Sequence, residues 1–177
     1  FAPYCPFRGK NQIPIVSPMK SSPLQASFLS LIFSCLPVHF TQAATIPEAD
    51  ITTLKQELPT QLTEKSATKK RRTCKNTIRK ANSLLDAHPD ATNRFGVLAI
   101  ILQSQRRLLT LDNSEKNRDS LFETCAKLIE APDSYAALRL EADLILSEKK
   151  LSEKKADFKE RTDALQALVK RYRNTPA

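Results

Sequence analysis

The chain has 177 residues, with 28 Lys and Arg against 19 Asp and Glu, a formal net charge of +9 and a pI near 9.5. An apolar content of 41% places most of it with globular rather than disordered sequences, and the length allows one domain with a modest core. Its two glycines, Gly9 and Gly96, cannot make a phosphate-cradling loop or a dinucleotide fingerprint, which need several closely spaced glycines.

Asn-Gly and Asp-Gly pairs, the mark of tight β-hairpins, are absent from the sequence. Leu, Ala, Lys, Glu and Arg dominate and favour helix, so the expected fold class is all-α. Residues 1–18 contain four prolines, no methionine and no regular periodicity, and read as upstream translated sequence rather than native protein. Met19, the single methionine, is followed by Lys20, the apolar run Phe28–Phe40 and then Thr41-Gln42-Ala43. A basic start, a short apolar centre and small residues before the cut are the layout of a secretory signal peptide. Residues 19–43 are therefore expected to be removed after Ala43, sending residues 44–177 to the periplasm or the exterior. The run is broken by Ser30, Ser34, Pro37 and His39 and is too short to span a bilayer. The competing reading is a buried helix of the fold; a lipid on Cys35 is disfavoured by the bulky Phe33 two places before it.

Past the leader, Pro47, Pro89, Pro132 and Pro176 recur at spacings of 42, 43 and 44 residues. Three of them precede an acid, Glu48, Asp90 or Asp133, as at the first turn of a helix, where proline loses no hydrogen bond and an acid meets the positive helix end. Leu84-Leu85-Asp86-Ala87 before Pro89 echoes Leu128-Ile129-Glu130-Ala131 before Pro132. A period near 43 residues predicts helical hairpins stacked as a tetratricopeptide-like or HEAT-like array, with hairpins over about 47–88, 89–131 and 132–175.

Within the hairpins, helices are expected at Ala49–Leu58, Glu64–Ala87, Asn93–Leu111, Ser114–Glu130, Ser134–Glu148 and Lys154–Arg173. Asn93–Leu111 is the most apolar. Phe95, Leu98, Ile101, Leu102, Leu108 and Leu109 form its main stripe, and Val97, Ala99 and Ile100 widen it, leaving a polar strip at Gln103, Arg106 and Arg107. A helix so apolar must be covered from more than one side. The duplicated Ser147–Leu151 and Ser152–Ala156 read as a solvated loop. The last helix shows Leu165, Leu168, Val169 and Tyr172 with no polar capping element after it, so the array is expected to be truncated at its C-terminus.

Chemistry-bearing residues are sparse. The basic run Lys69, Lys70, Arg71, Arg72, Lys75, Arg79 and Lys80 has no acid among it and reads first as a solvated helix face. As a binding surface it would suit an anionic partner or membrane. Nucleic acid fits poorly, because no aromatic residue offers a base-stacking platform and export would remove the chain from it. Cys74 and Cys125, the cysteines beyond the leader, share helix faces with apolar residues and look like core positions; a disulfide between them stays open in an exported chain. With His88 the one histidine beyond the leader, no zinc set, catalytic constellation or cofactor is expected. Glu141 and Asp143, two apart, should face different sides of their helix.

Asn93-Arg94-Phe95, the segment Gln103–Leu109, the segment Leu121–Cys125 and the segment Leu138–Asp143 resemble the helical N-terminal region of some bacterial exported redoxin-like proteins. The resemblance covers roughly residues 70–177. It implies export and a thioredoxin-like domain following in the parent protein, but no catalytic residue here, since the chain has no Cys-x-x-Cys. The expected function is a non-enzymatic scaffold or protein-binding region with an unidentified protein partner. The alternative is the accessory region of a thiol-disulfide oxidoreductase whose catalytic domain lies beyond residue 177.

Overall fold

The computed structural model describes residues 44–176. The expected upstream segment and signal peptide, with Cys5, Cys35 and His39, lie outside the described residues.

Six α-helices and one 3-10 turn, with no strand, make up the described residues: α1 Glu48–Thr63, α2 Ala67–Ala87, α3 Arg94–Leu111, α4 Glu115–Leu128, the 3-10 turn Asp133–Tyr135, α5 Ala136–Glu153 and α6 Phe158–Tyr172. The described residues are all-helical, as the composition predicts. Each helix packs on its neighbours in sequence, and α1 also packs on α3. The bonded pairs give the directions. Glu57 meets Lys80 and Gln61 meets Thr77, so α1 and α2 are antiparallel. Glu148 meets Arg161 and Asp143 meets Tyr172, so α5 and α6 are antiparallel too. Ile46 meets Asn93 and Gln61 meets Ser104, which sets α1 and α3 parallel.

The core is organised by α3. Val97, Leu98, Ile100, Ile101 and Leu102 are all buried, with only the half-buried Ala99 between them, a run that no one-sided helix could bury. Three helices cover it: α1 through Ile51 and Leu54, α2 through Cys74 and Ala81, and α4 through Leu121, Cys125 and Leu128. Each large aliphatic side chain so buried contributes about 1.5–3 kcal/mol. The amide of Asn93 ties the chain entry to this helix. Its Oδ1 accepts from the Ile46 amide at 2.9 Å and its Nδ2 donates to the Ile46 carbonyl at 2.8 Å, which seats Ile46 in the core.

A polar seam crosses the core. The Gln61 side-chain amide donates to Thr77 Oγ1 and to Ser104 Oγ, each at 3.0 Å, and all three residues are buried. The Thr77 hydroxyl donates to Glu57 Oε2 at 2.7 Å, and Lys80 pairs with the same carboxylate. Burial opposes the Glu57 charge, but the hydrogen bonds from Lys80 and Thr77 and the Lys80 charge outweigh it and hold this carboxyl below its usual range. Arg107 donates to the Leu58 carbonyl and to Gln61 Oε1, closing the seam between α1 and α3.

Several boundaries differ from those the sequence suggests. The first helix runs past Leu58 to Thr63 with Pro59 inside it. Proline there deprives the Lys55 carbonyl of its helical donor, but both residues are exposed and water can serve instead. Helix α5 continues through Ser147–Leu151, the expected loop, to Glu153. That stretch is polar but has neither glycine nor proline to break a helix. The turn falls at 154–157, where Lys155 takes a left-handed φ of 52°. Pro47 and Pro132 sit just before their helical turns rather than at the first helical position, and Pro89 lies in the turn before α3. Ser66 caps α2, and Ser114 stands at the N-cap of α4 without a side-chain capping bond.

Replacing Gln61 removes the hub of the seam and leaves Ser104 buried without that partner. Gln61→Ala should lower the unfolding free energy in urea by about 2–3 kcal/mol, against about 0.5 kcal/mol or less for an exposed change such as Gln56→Ala.

Candidate functional site

Helix α5 is apolar on two sides. At about 100° per residue, Leu138, Ala142 and Leu146 form one stripe, while Leu140, Leu144 and Leu151 form a second stripe on the opposite side. The first packs on the core. The second is covered only in part by α6, whose Leu168 and Tyr172 are buried. Between α4 and α6, above α5, this leaves a groove of about 920 Å³. Phe122 lines the α4 wall, Leu144, Ile145 and Leu151 line the floor, and Leu165 and Leu168 line the α6 wall.

Polar clamps hold α6 at its two ends. Near its start, Arg161 Nη1 reaches both Glu148 carboxylate oxygens, at 2.9 and 3.1 Å. Near its end, Asp143 Oδ2 accepts from the Tyr172 hydroxyl at 2.6 Å and from Arg171 at 2.8 Å, while the Arg139 guanidinium stacks 5.5 Å from the Tyr172 ring centre. The start of α6 is further fixed by a reciprocal cap, Asp157 accepting from the Glu160 amide and Glu160 from the Asp157 amide. Burial, with the Asp143 hydrogen bond and charge, pushes the Tyr172 hydroxyl above its ordinary pKa, so it remains a proton donor to Asp143.

The clamped helix and α5 beneath it keep apolar surface in water. Leu144 is 40% exposed, Leu165 54%, Val169 69% and Phe158 86%. Phe158, Leu165 and Val169 follow one another at i, i+7 and i+11 and so form a single stripe. Of the four apolar residues that the sequence shows on the last helix, Leu168 and Tyr172 are buried; Leu165 and Val169 are open because α5 meets one flank of the helix alone.

On α2, Lys69, Arg72, Lys75, Arg79 and Lys80 are exposed and fall within one arc of about 140° of the helix, whereas Lys70 and Arg71 are half-buried. Lys80 is engaged by Glu57, and Lys75 lies 3.8 Å from Asp112. Lys75 and Arg79 line a second groove of about 620 Å³ between α2 and α4, together with Asp86 and Asp112, so its charge is mixed. Its floor includes the buried Gln105, whose amide nitrogen donates to Ser120. Arg106 and Arg107, expected together on the exposed strip of α3, part company: Arg106 pairs with Glu141, and Arg107 is half-buried in the seam. Glu141 and Asp143 do face different helices, α3 and α6.

Cys74 and Cys125 are free, fully buried thiols; the disulfide that the sequence left open is not formed. Burial pushes Cys125 up to about 11, with the Glu141 charge adding to the effect and Arg106 opposing it. Burial raises Cys74 as well, against the Arg107 charge. Among the described residues, no three His, Cys, Asp or Glu side chains converge to hold a metal ion, and no helix is long and apolar enough to cross a membrane. No protein-family model, curated protein or solved structure matches the chain.

With Cys5 and Cys35 replaced by serine, the folded protein at pH 8 should react with a disulfide reagent only as fast as it unfolds, and guanidinium should release two thiols at once. Because the folded pKa of Cys125 is raised, its neutral form adds a stability that is complete below about pH 9, the unfolded value, and lost as pH rises toward 11. Melting temperature should fall across that window, and Cys125→Ser should flatten the fall.

Proposed function

We propose that this chain is a protein-binding helical scaffold, built as a repeat of about 43 residues, and that the groove between α4 and α6 is its binding site. The open apolar surface at Leu144 and Leu165, inside the groove, carries this reading, and the exposed Val169 and Phe158 continue it along α6 outside the groove. Water gains nothing from such a surface, and a partner that buries it gains about 25 cal/mol per Å² before the costs of association are met. The repeat is supported by the parallel alignment of α1 and α3, in which Gln61 bonds Ser104, 43 positions further on. Repeat arrays bind along surfaces made by successive helices, and this groove spans three of them.

Export through the 19–43 leader belongs to the same proposal and is carried by the layout of Met19, Lys20, the apolar run and Ala43. A scaffold of this kind acts by holding its partner, and chemistry is not asked of any residue in the groove.

A photo-crosslinking side chain at Leu165 or Leu144, in the protein made by its own host, should give a discrete protein adduct. The adduct should vanish with Leu151→Glu and be absent when the probe sits at the exposed Lys127. Adducts of equal yield from Lys127 and Leu165, or none from the groove in a folded protein, would contradict the proposal.

A further inference from the structure

Resting on the groove as a protein-binding site, we infer that its occupant is a short amphipathic helix of a partner protein, with Lys or Arg along the edge that faces α4. The length comes from the floor. Leu144 and Leu151 are seven residues apart on α5, so the apolar floor extends about 10 Å, or two helical turns. Such a floor suits anchors at i, i+3 or i+4, and i+7 of a docked helix, the helix-in-groove mode of recognition. The walls suit the same shape, since Phe122 and Leu165 stand on either side, with the Arg161–Glu148 pair beside the middle of the floor on the α6 flank.

The charge of the edge comes from the rim. Two of its cations are already engaged: Arg161 with Glu148, and Lys149 with Glu153 and with the Phe122 ring at 4.3 Å. Arg118 bonds back to the Asn113 carbonyl at 2.7 Å. Glu115 and Asp119 line the same groove on α4, and Glu123 follows one turn on; none of the three is in an ion pair among the described residues. At four-residue spacing they make one acidic edge along α4, in which Glu115 and Asp119 flank Phe122 in the groove while Glu123 lies beyond its lining, near Lys116. The whole chain is basic, which would repel a basic partner at long range, but physiological salt screens beyond about 8 Å and leaves the local acidic edge to set the choice. Rim charges of this kind select partners and orient them, while the apolar floor supplies the grip.

Two labelled 16-residue peptides, identical in four leucine anchors and differing in a Lys or a Glu edge, test this by fluorescence anisotropy. The Lys-edge peptide should bind about tenfold tighter at low salt, and the ratio should shrink toward one at 0.5 M salt. Glu115→Lys with Asp119→Lys and Glu123→Lys should invert the preference, and Leu144→Glu should lose both peptides, with circular dichroism confirming the fold. Equal affinities, or a Lys preference that survives the triple reversal, overturn the inference while leaving a groove that binds protein. Binding untouched by Leu144→Glu overturns it too and moves the contact elsewhere, for a Glu edge to the cations of α2. No binding of either peptide to a folded protein overturns the inference, and the crosslinking result then decides whether the groove reading stands. Sedimentation of the protein alone completes the set: a concentration-dependent dimer abolished by Leu144→Glu gives the groove to a second copy of the chain and overturns the inference.

Discussion

A helix that is apolar on nearly every side has no stable place on a surface. That constraint, set by α3, decides where α1, α2 and α4 must lie. The five buried residues between Val97 and Leu102 need walls on three sides, and three helices supply them. What is left of the chain, α5 and α6, does not touch this requirement in the same way. Helix α5 closes the core with one stripe and turns the other outward, and α6 covers part of what remains. The difference between a core that must be covered and an edge that is covered in part is what gives the molecule a groove.

The polar seam adds direction to the packing. Apolar contacts tolerate a helix sliding or rotating by a small amount, whereas the Gln61 amide can reach Thr77 and Ser104 together in one register only. Arg107 reinforces the choice by bonding the Leu58 carbonyl and Gln61 at the same time. Each bond contributes about 1 kcal/mol net, but misplacing a buried donor or acceptor costs more than forming it gains, so the seam discriminates between registers more than it stabilises any one of them.

The helical class, the central helix and the connections on either side of it were legible in the sequence, because composition and apolar periodicity report burial directly. Partners were not. Ser104 and Gln105 sit inside the apolar run of α3 and are buried, which a reading of polarity cannot foresee; the one available signal was that Gln61 lies one 43-residue interval before Ser104. Arg107 looked solvent-facing for the same reason. Polarity also misled at Ser147–Leu151, since Ser, Glu and Lys are good enough helix formers to continue α5 when no glycine or proline stops it. The second stripe of α5 was visible as Leu140, Leu144 and Leu151, but whether another helix would cover it depended on where α6 docks, beside Glu148 and Asp143, which apolar periodicity does not report.

In this account α3 is the last element to open, and α6, held by two buried side chains and two polar clamps, is the first. Native-state hydrogen exchange tests that ordering directly. The account predicts that amides from Val97 to Leu108 exchange only through global unfolding, whereas those of α6 exchange through a local opening of clearly lower free energy that leaves α1 to α4 intact. Exchange of the α3 amides as fast as, or faster than, those of α6 would contradict it.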